Sequence, residues 1–151
     1  MAKLFEEIDD KLRAFVEAQR MFFVASAPLS GDGHVNLSPK GWADRCFRVL
    51  GPTTVAYLDL TGSGSETVAH LRENGRICVM FCAFDGPPRI VRFHGRGEAI
   101  ALGDPRFDEA LAPFEPLDEL AELGRRAVIH VEVERVSDSC GYIVPLYDYA
   151  G

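Results

Sequence analysis

Apolar residues near the start of the chain fall at helical spacing. Leu4, Ile8, Leu12, Phe15 and Val16 recur with acids between them, which predicts a surface helix over LFEEIDDKLRAFVEAQ. The period then shortens. MFFVASA is a brief apolar run closed by Pro28 and the turn LSGDG, the pattern of a strand entering a hairpin. In HVNLSPK, Val35 and Leu37 take one face while His34, Asn36, Ser38 and Lys40 take the other. RCFRVL and TTVAYLDL follow as strands, divided by the Gly51-Pro52 turn.

Beyond residue 60 the texture changes. TGSGSETVAHLRENG is a glycine-serine loop opening a short helix that Gly75 stops. RICVMFCAF is apolar on both faces, as a central strand is. After GPP comes a long strand, RIVRFHGRGEAIA, whose Gly95 and Gly97 suggest a bend or bulge. Two short helices, DPRFDEALAPF and PLDELAELG, precede the alternating AVIHVEVERV and an aromatic, irregular tail, CGYIVPLYDYAG. Strands joined by tight turns imply antiparallel pairing rather than βαβ repeats. The expected fold is mainly β: a small antiparallel split barrel of about six strands, with an N-terminal helix and short peripheral helices, as a single domain over residues 1–151.

Composition narrows the classes. With 151 residues, 47% hydrophobic and 26% charged, the chain can bury a core without metal or disulfide help, which excludes a disordered or collagen-like polymer. No apolar run approaches the ~18 residues of a membrane span, and the acidic, amphipathic first residues are unlike a secretory signal. The expectation is a cytoplasmic protein without a membrane partner. Sixteen basic against 23 acidic residues give a net charge of −7, which repels a nucleic-acid backbone. Cys46, Cys78, Cys82 and Cys140 form no metal or redox pattern; Cys78 and Cys82 read as small core residues on one strand face. The four histidines are scattered, so a metal site is not expected.

Three stretches carry candidate chemistry. In Leu60-Thr61-Gly62-Ser63-Gly64-Ser65-Glu66-Thr67 the glycines permit close backbone approach, hydroxyls supply donors, and the following helix presents unpaired N–H groups, an arrangement suited to a phosphate. The same letters also satisfy an ordinary capping box, Ser63-x-x-Glu66. HVNLSPKGW offers Asn36, Ser38, the Lys40 cation and the flat ring of Trp42, or else a solvated hairpin face. In RIVRFHGRG, strand parity places Arg92, His94 and Arg96 on one face and Arg89 opposite, with Val91 and Phe93, where its charge demands a polar partner.

Together HVNLSPKGW, TVAYLDLTGSGSETVAHLRENGRICVMF and PPRIVRFHGRGEA resemble the pyridoxamine 5′-phosphate oxidase-like family of FMN-binding split barrels, from about residue 20 to residue 145. The resemblance implies a homodimer that holds one FMN in each of two clefts at the subunit interface. By that likeness the strand from Val35 through Asn36 and Ser38 to Lys40 lines the isoalloxazine. By the same likeness Thr61, Gly62, Ser63, Ser65 and Thr67 hold the phosphate and Arg89 sits near the ring or phosphate; Tyr142 in the CGYIVP tail is a candidate to cover the cleft, or else a packing tyrosine. There are departures. Ser65-Glu66-Thr67 stands where the vitamin B6 oxidases carry Ser-Arg-Lys, Ile90 replaces a glutamine, and the tail lacks their Arg-x-His motif. The implied function is an FMN-dependent oxidoreductase acting on a small molecule other than pyridoxamine phosphate. The alternatives are a non-catalytic flavin-binding or sensing protein, or a barrel using deazaflavin or haem, the last with His94 or His130 as axial ligand.

Overall fold

The computed structural model describes residues 3–62 and 65–150. Eight strands form one antiparallel sheet: β1 (Lys3–Phe5), β2 (Phe22–Ser26), β3 (Asn36–Lys40), β4 (Phe47–Gly51), β5 (Thr54–Leu60), β6 (Arg76–Cys82), β7 (Ile90–Ala101) and β8 (Arg125–Ser139). The order is β3-β2-β6-β7-β8-β5-β4, with β1 added to the far end of β8. This is the expected split barrel. β3 and β4 are its two ladder edges, and β6 lies inside the sheet as its apolar sequence requires.

The interior is filled by alternate residues of the long strands. Phe22, Tyr57, Phe81 and Phe93 pack with Val55, Val79, Val91 and Ile129 around the barrel axis. α1 (Asp10–Glu17) adds Leu12 and Val16 to this core, its first turn capped by the Asp9 carboxylate accepting from the Leu12 N–H at 2.7 Å. The opposite faces of β5 and β8 form a second cluster, in which Ala56, Leu58 and Val128 meet Phe107 and Leu111 of α4 (Phe107–Leu111), Phe114, and Ala121 of α5 (Glu119–Gly124). Burial on both faces is what makes β5 continuously apolar up to Asp59.

The N-terminus departs from its helical spacing. Lys3–Phe5 pairs with Val136 to Asp138 as a strand, and the helix starts only after Asp9. The overhanging end of β8 offers unpaired backbone groups there, and pairing them outweighs extending the helix by a turn, while Leu4 itself stays exposed. This short strand is the addition to the expected set. Gly95 marks the expected irregularity: the β7–β8 register shifts between His94 and Gly95, and a Cβ at Gly95 would lie 1.9 Å from the Glu132 carbonyl oxygen.

Candidate functional site

β3 turns its polar face inward. Asn36, Ser38 and Lys40 are half-buried, whereas Val35 and Leu37 on the apolar side are 73% and 62% exposed. The inward face meets α3 (Glu66–Asn74), where the Asn36 side-chain amide donates to the Thr67 hydroxyl at 2.9 Å and the Ser38 hydroxyl donates to Asn36 Oδ1 at 3.3 Å. The helix is fastened to the β2–β3 hairpin by its own periodicity. One turn beyond Thr67, His70 Nδ1 lies 2.9 Å from the hydroxyl of buried Ser26, the β-ladder partner of Asn36. One turn further, the Asn74 amide donates to the Ala27 carbonyl at 2.9 Å, and Gly75 ends the helix at φ 71°.

Ser65 is the N-cap of α3, with no side-chain capping bond among the described residues. Glu66 is therefore the first helical residue, and the Ser63-x-x-Glu66 capping box falls on a residue outside the described ones. Capping by the reciprocal pair needs its glutamate three places after the cap, with its side chain reaching back; here Glu66 is exposed. The Ser65 side chain does not cap the opening N–H groups. Ser63 and Gly64 lie outside the described residues.

At the other end of β3 stands a charged cluster. Asp59, the last buried residue of β5, is only 4% exposed. Its Oδ1 accepts from Lys40 Nζ at 3.3 Å, and its Oδ2 accepts from Arg126 Nε and Nη2 at 2.8 and 2.6 Å. Arg126 reaches Asp59 because it is the extra residue where the β5–β8 register shifts: Asp59 faces Ala127, but Leu60 faces Arg125. The cluster ties three strands together across the gap between the barrel edges. Burial chiefly, and then the nearby Asp59 charge, push up the pKa of the fully buried Tyr57 hydroxyl, while Arg126 pulls it down. Thr61 and Gly62 follow directly and are exposed, with the Thr61 N–H donating to the Gly124 carbonyl at 2.6 Å.

The structure thus unites Asn36, Ser38 and Thr67 by hydrogen bonds, sets Lys40 beside them on the same strand face, and leaves Thr61, Gly62 and Ser65 exposed on the β5–α3 connection. Arg89 is engaged with Asp138. Its Nε and Nη2 donate to Asp138 Oδ2 at 3.0 and 2.7 Å and its guanidinium lies over the Phe15 ring, which supplies the anionic partner that strand parity demanded. Tyr142 is exposed. Asp59 and Arg126 escaped the sequence reading, as did the Ser26–His70 pair. Asp59 carried a signal: alternation in TVAYLDL puts it on the core face with Val55 and Tyr57, where a carboxylate must find cations.

A flavin phosphate would find hydroxyls and, among the described residues, helical N–H groups that no side chain caps at the α3 start, and the pyrimidine edge would find the amide, hydroxyl and ammonium donors of β3. In donor chemistry these residues fit FMN. Among the described residues no group of three or more His, Cys, Asp or Glu side chains is placed to hold a metal ion, and no helix is long and apolar enough to cross a membrane.

The architecture is shared with solved split barrels. Group A Streptococcus HupZ matches with a TM-score of 0.64 at 23% identity, over 85% of this chain and 91% of that one. An FMN-binding protein from Syntrophomonas wolfei matches with a TM-score of 0.61 at 12% identity, over 83% and 82%. These likenesses define the fold. The sequence comparisons define the family: the pyridoxamine 5′-phosphate oxidase model matches residues 8–140, and the chain belongs to that family. The curated relative ustO of Aspergillus flavus, a pyridoxamine 5′-phosphate oxidase family protein, is 47% identical over 148 residues. The match takes in 98% of this chain but 58% of that relative's length.

Proposed function

We propose that this protein is an FMN-binding oxidoreductase that works as a homodimer, with the flavin lying along the inward face of β3 and its phosphate at the start of α3. The observation that carries the reading is the Asn36–Thr67 hydrogen bond, which registers a strand of flavin-type donors against a hydroxyl-bearing helix N-terminus. Backbone N–H groups, Ser65 and Thr67 serve the phosphate in place of side-chain cations at the helix start. Lys40, held by Asp59, presents a cation beside the ring. Arg89 is left out of this contact set because its guanidinium is bidentate to Asp138. Bound flavin would supply hydride or electron transfer, while the chain orients it and sets its electrostatic surroundings. The family supports the flavin, and the FMN-binding protein from Syntrophomonas wolfei shares the fold.

The exposed apolar side of β3 supports the dimer. Val35 and Leu37 project outward from an unpaired sheet edge, a surface that a second copy would cover.

The test is a titration of flavin-free protein with FMN and with riboflavin, followed by reduced nicotinamide cofactor without oxygen. FMN should bind tighter than riboflavin, and Thr67→Ala should weaken FMN by about 1–2 kcal/mol while affecting riboflavin less. Equal losses for both ligands would remove the phosphate from Thr67. Bleaching of bound flavin at turnover rates marks an enzyme. Stable oxidised flavin with every donor marks a carrier or sensor, and a Soret band in the purified protein marks haem.

A further inference from the structure

A crevice of about 440 Å³ shares only Gly41 and Trp42 with the hollow beside Lys40, which is otherwise lined by residues such as Pro39, Leu58 and Leu60. Four aromatic residues line the crevice: Trp42, Phe84, Tyr147 and Tyr149. The C-terminal segment is folded onto it. The Tyr147 N–H donates to the Phe84 carbonyl at 2.8 Å, and the two rings stand 5.8 Å apart between centroids. Trp42 holds a left-handed backbone, φ 51° and ψ 42°, which is costly for a bulky residue.

The charged side chains around this aromatic wall are mostly negative. Asp85 and Asp148 bring two carboxylates. Buried Gln19 donates one amide N–H to the Phe15 carbonyl at 2.9 Å, and its oxygen is able to accept from a ligand. Arg20, the one cation among the lining residues, lies over the Tyr149 ring at 5.0 Å. Ring faces together with surplus carboxylate charge attract an organic cation and repel an anion.

We propose that this crevice binds an arylalkyl ammonium ion, its ring against Trp42, Phe84 and Tyr147 and its N–H donors toward Asp85 and Asp148. The site stands beyond the proposed flavin cleft and needs no flavin to form.

It is tested in flavin-free protein by calorimetric titration with phenethylammonium, phenethyl alcohol and phenylpropanoate. The emission of Trp42, the chain's single tryptophan, is followed in parallel. The ammonium ion should bind saturably and perturb Trp42, the alcohol should bind about tenfold more weakly, as loss of a charged hydrogen bond to the carboxylates implies, and the carboxylate should not saturate. The double substitution Asp85→Asn with Asp148→Asn, at exposed positions, should abolish the preference for the cation over the alcohol while leaving the unfolding midpoint in place. Absence of saturable ammonium binding, equal binding of cation and carboxylate, or a preference that survives the double substitution would overturn the proposal. FMN uptake by the same samples separates the two readings. Normal uptake without ammonium binding removes this site alone, and ammonium binding without FMN uptake removes the flavin cleft alone.

Discussion

Burial of Asp59 is tolerable because two cations reach it from different strands. Lys40 and Arg126 are themselves 28% and 30% exposed, so water partly screens what they would lose if the carboxylate were neutralised. Asp59→Asn should therefore cost about 1–3 kcal/mol in urea unfolding, below the range for a fully buried pair, and Lys40→Met should cost less, since Arg126 still neutralises the carboxylate. An unchanged midpoint for Asp59→Asn would show that the cluster does not hold the barrel edges together. Parity alone marks Asp59 as an inward carboxylate, by the rule that correctly demanded a partner for Arg89. Its partner Arg126 is not legible, because the bulge that delivers it breaks the alternation from which registers are read. His94 supplies a second test at this scale. Burial first, then the charges of Arg135 and Arg92, hold its pKa below the ordinary histidine value. A lowered folded pKa means that the unfolded chain binds the proton more readily, so this contribution is complete above about pH 6.5 and is lost as pH falls through the folded pKa. Between pH values of about 7.5 and 5.5 the wild type should lose more stability than His94→Gln; parallel losses would contradict the assignment.

Elements were legible where one period dominated. The hairpin strands, the central β6, the helix stopped by Gly75 and the irregularity at Gly95 all follow from spacing and glycine placement. The N-terminal strand was not, since Leu4 continues the helical spacing of Ile8 and Leu12 while its actual partner lies more than a hundred residues away on β8, a contact that local periodicity does not encode. The helix start was ambiguous for a related reason: Ser63 and Ser65 both precede the apolar run, and the geometry selects Ser65. The bulge makes a sharp prediction. Gly95→Ala forces a Cβ into the Glu132 carbonyl and should destabilise by about 3 kcal/mol or more, as steric overlap with backbone cannot be relieved by a rotamer change. Gly31→Ala, with nothing within 4 Å of its new Cβ, is the matched control and should be near neutral. Similar midpoints for the two variants, read by thermal unfolding, would mean that β7 and β8 can separate at no cost.

At the level of the molecule, the fold brings residues 36 to 40, Asp59, Thr67 and Arg126 together, although they lie far apart along the chain. Sequence alone supplied the donors of β3 and the hydroxyls before α3; only the folded sheet shows that the polar side of β3 faces in and its apolar side faces out. On the proposed reading, that inversion would make the outer face of β3 the surface for self-association. Leu37→Lys should convert a dimer to monomer in sedimentation equilibrium without lowering the unfolding midpoint of the monomer, because Leu37 already faces solvent within one chain. A wild-type protein that sediments as a monomer would refute the dimer. The flavin placement is tested most directly by a crystal structure of the protein soaked with FMN. The account predicts the phosphate against Ser65, Thr67 and the first N–H groups of α3, with the isoalloxazine along Asn36, Ser38 and Lys40. A phosphate bound elsewhere, or a β3–α3 cleft left empty at saturating FMN, would contradict it.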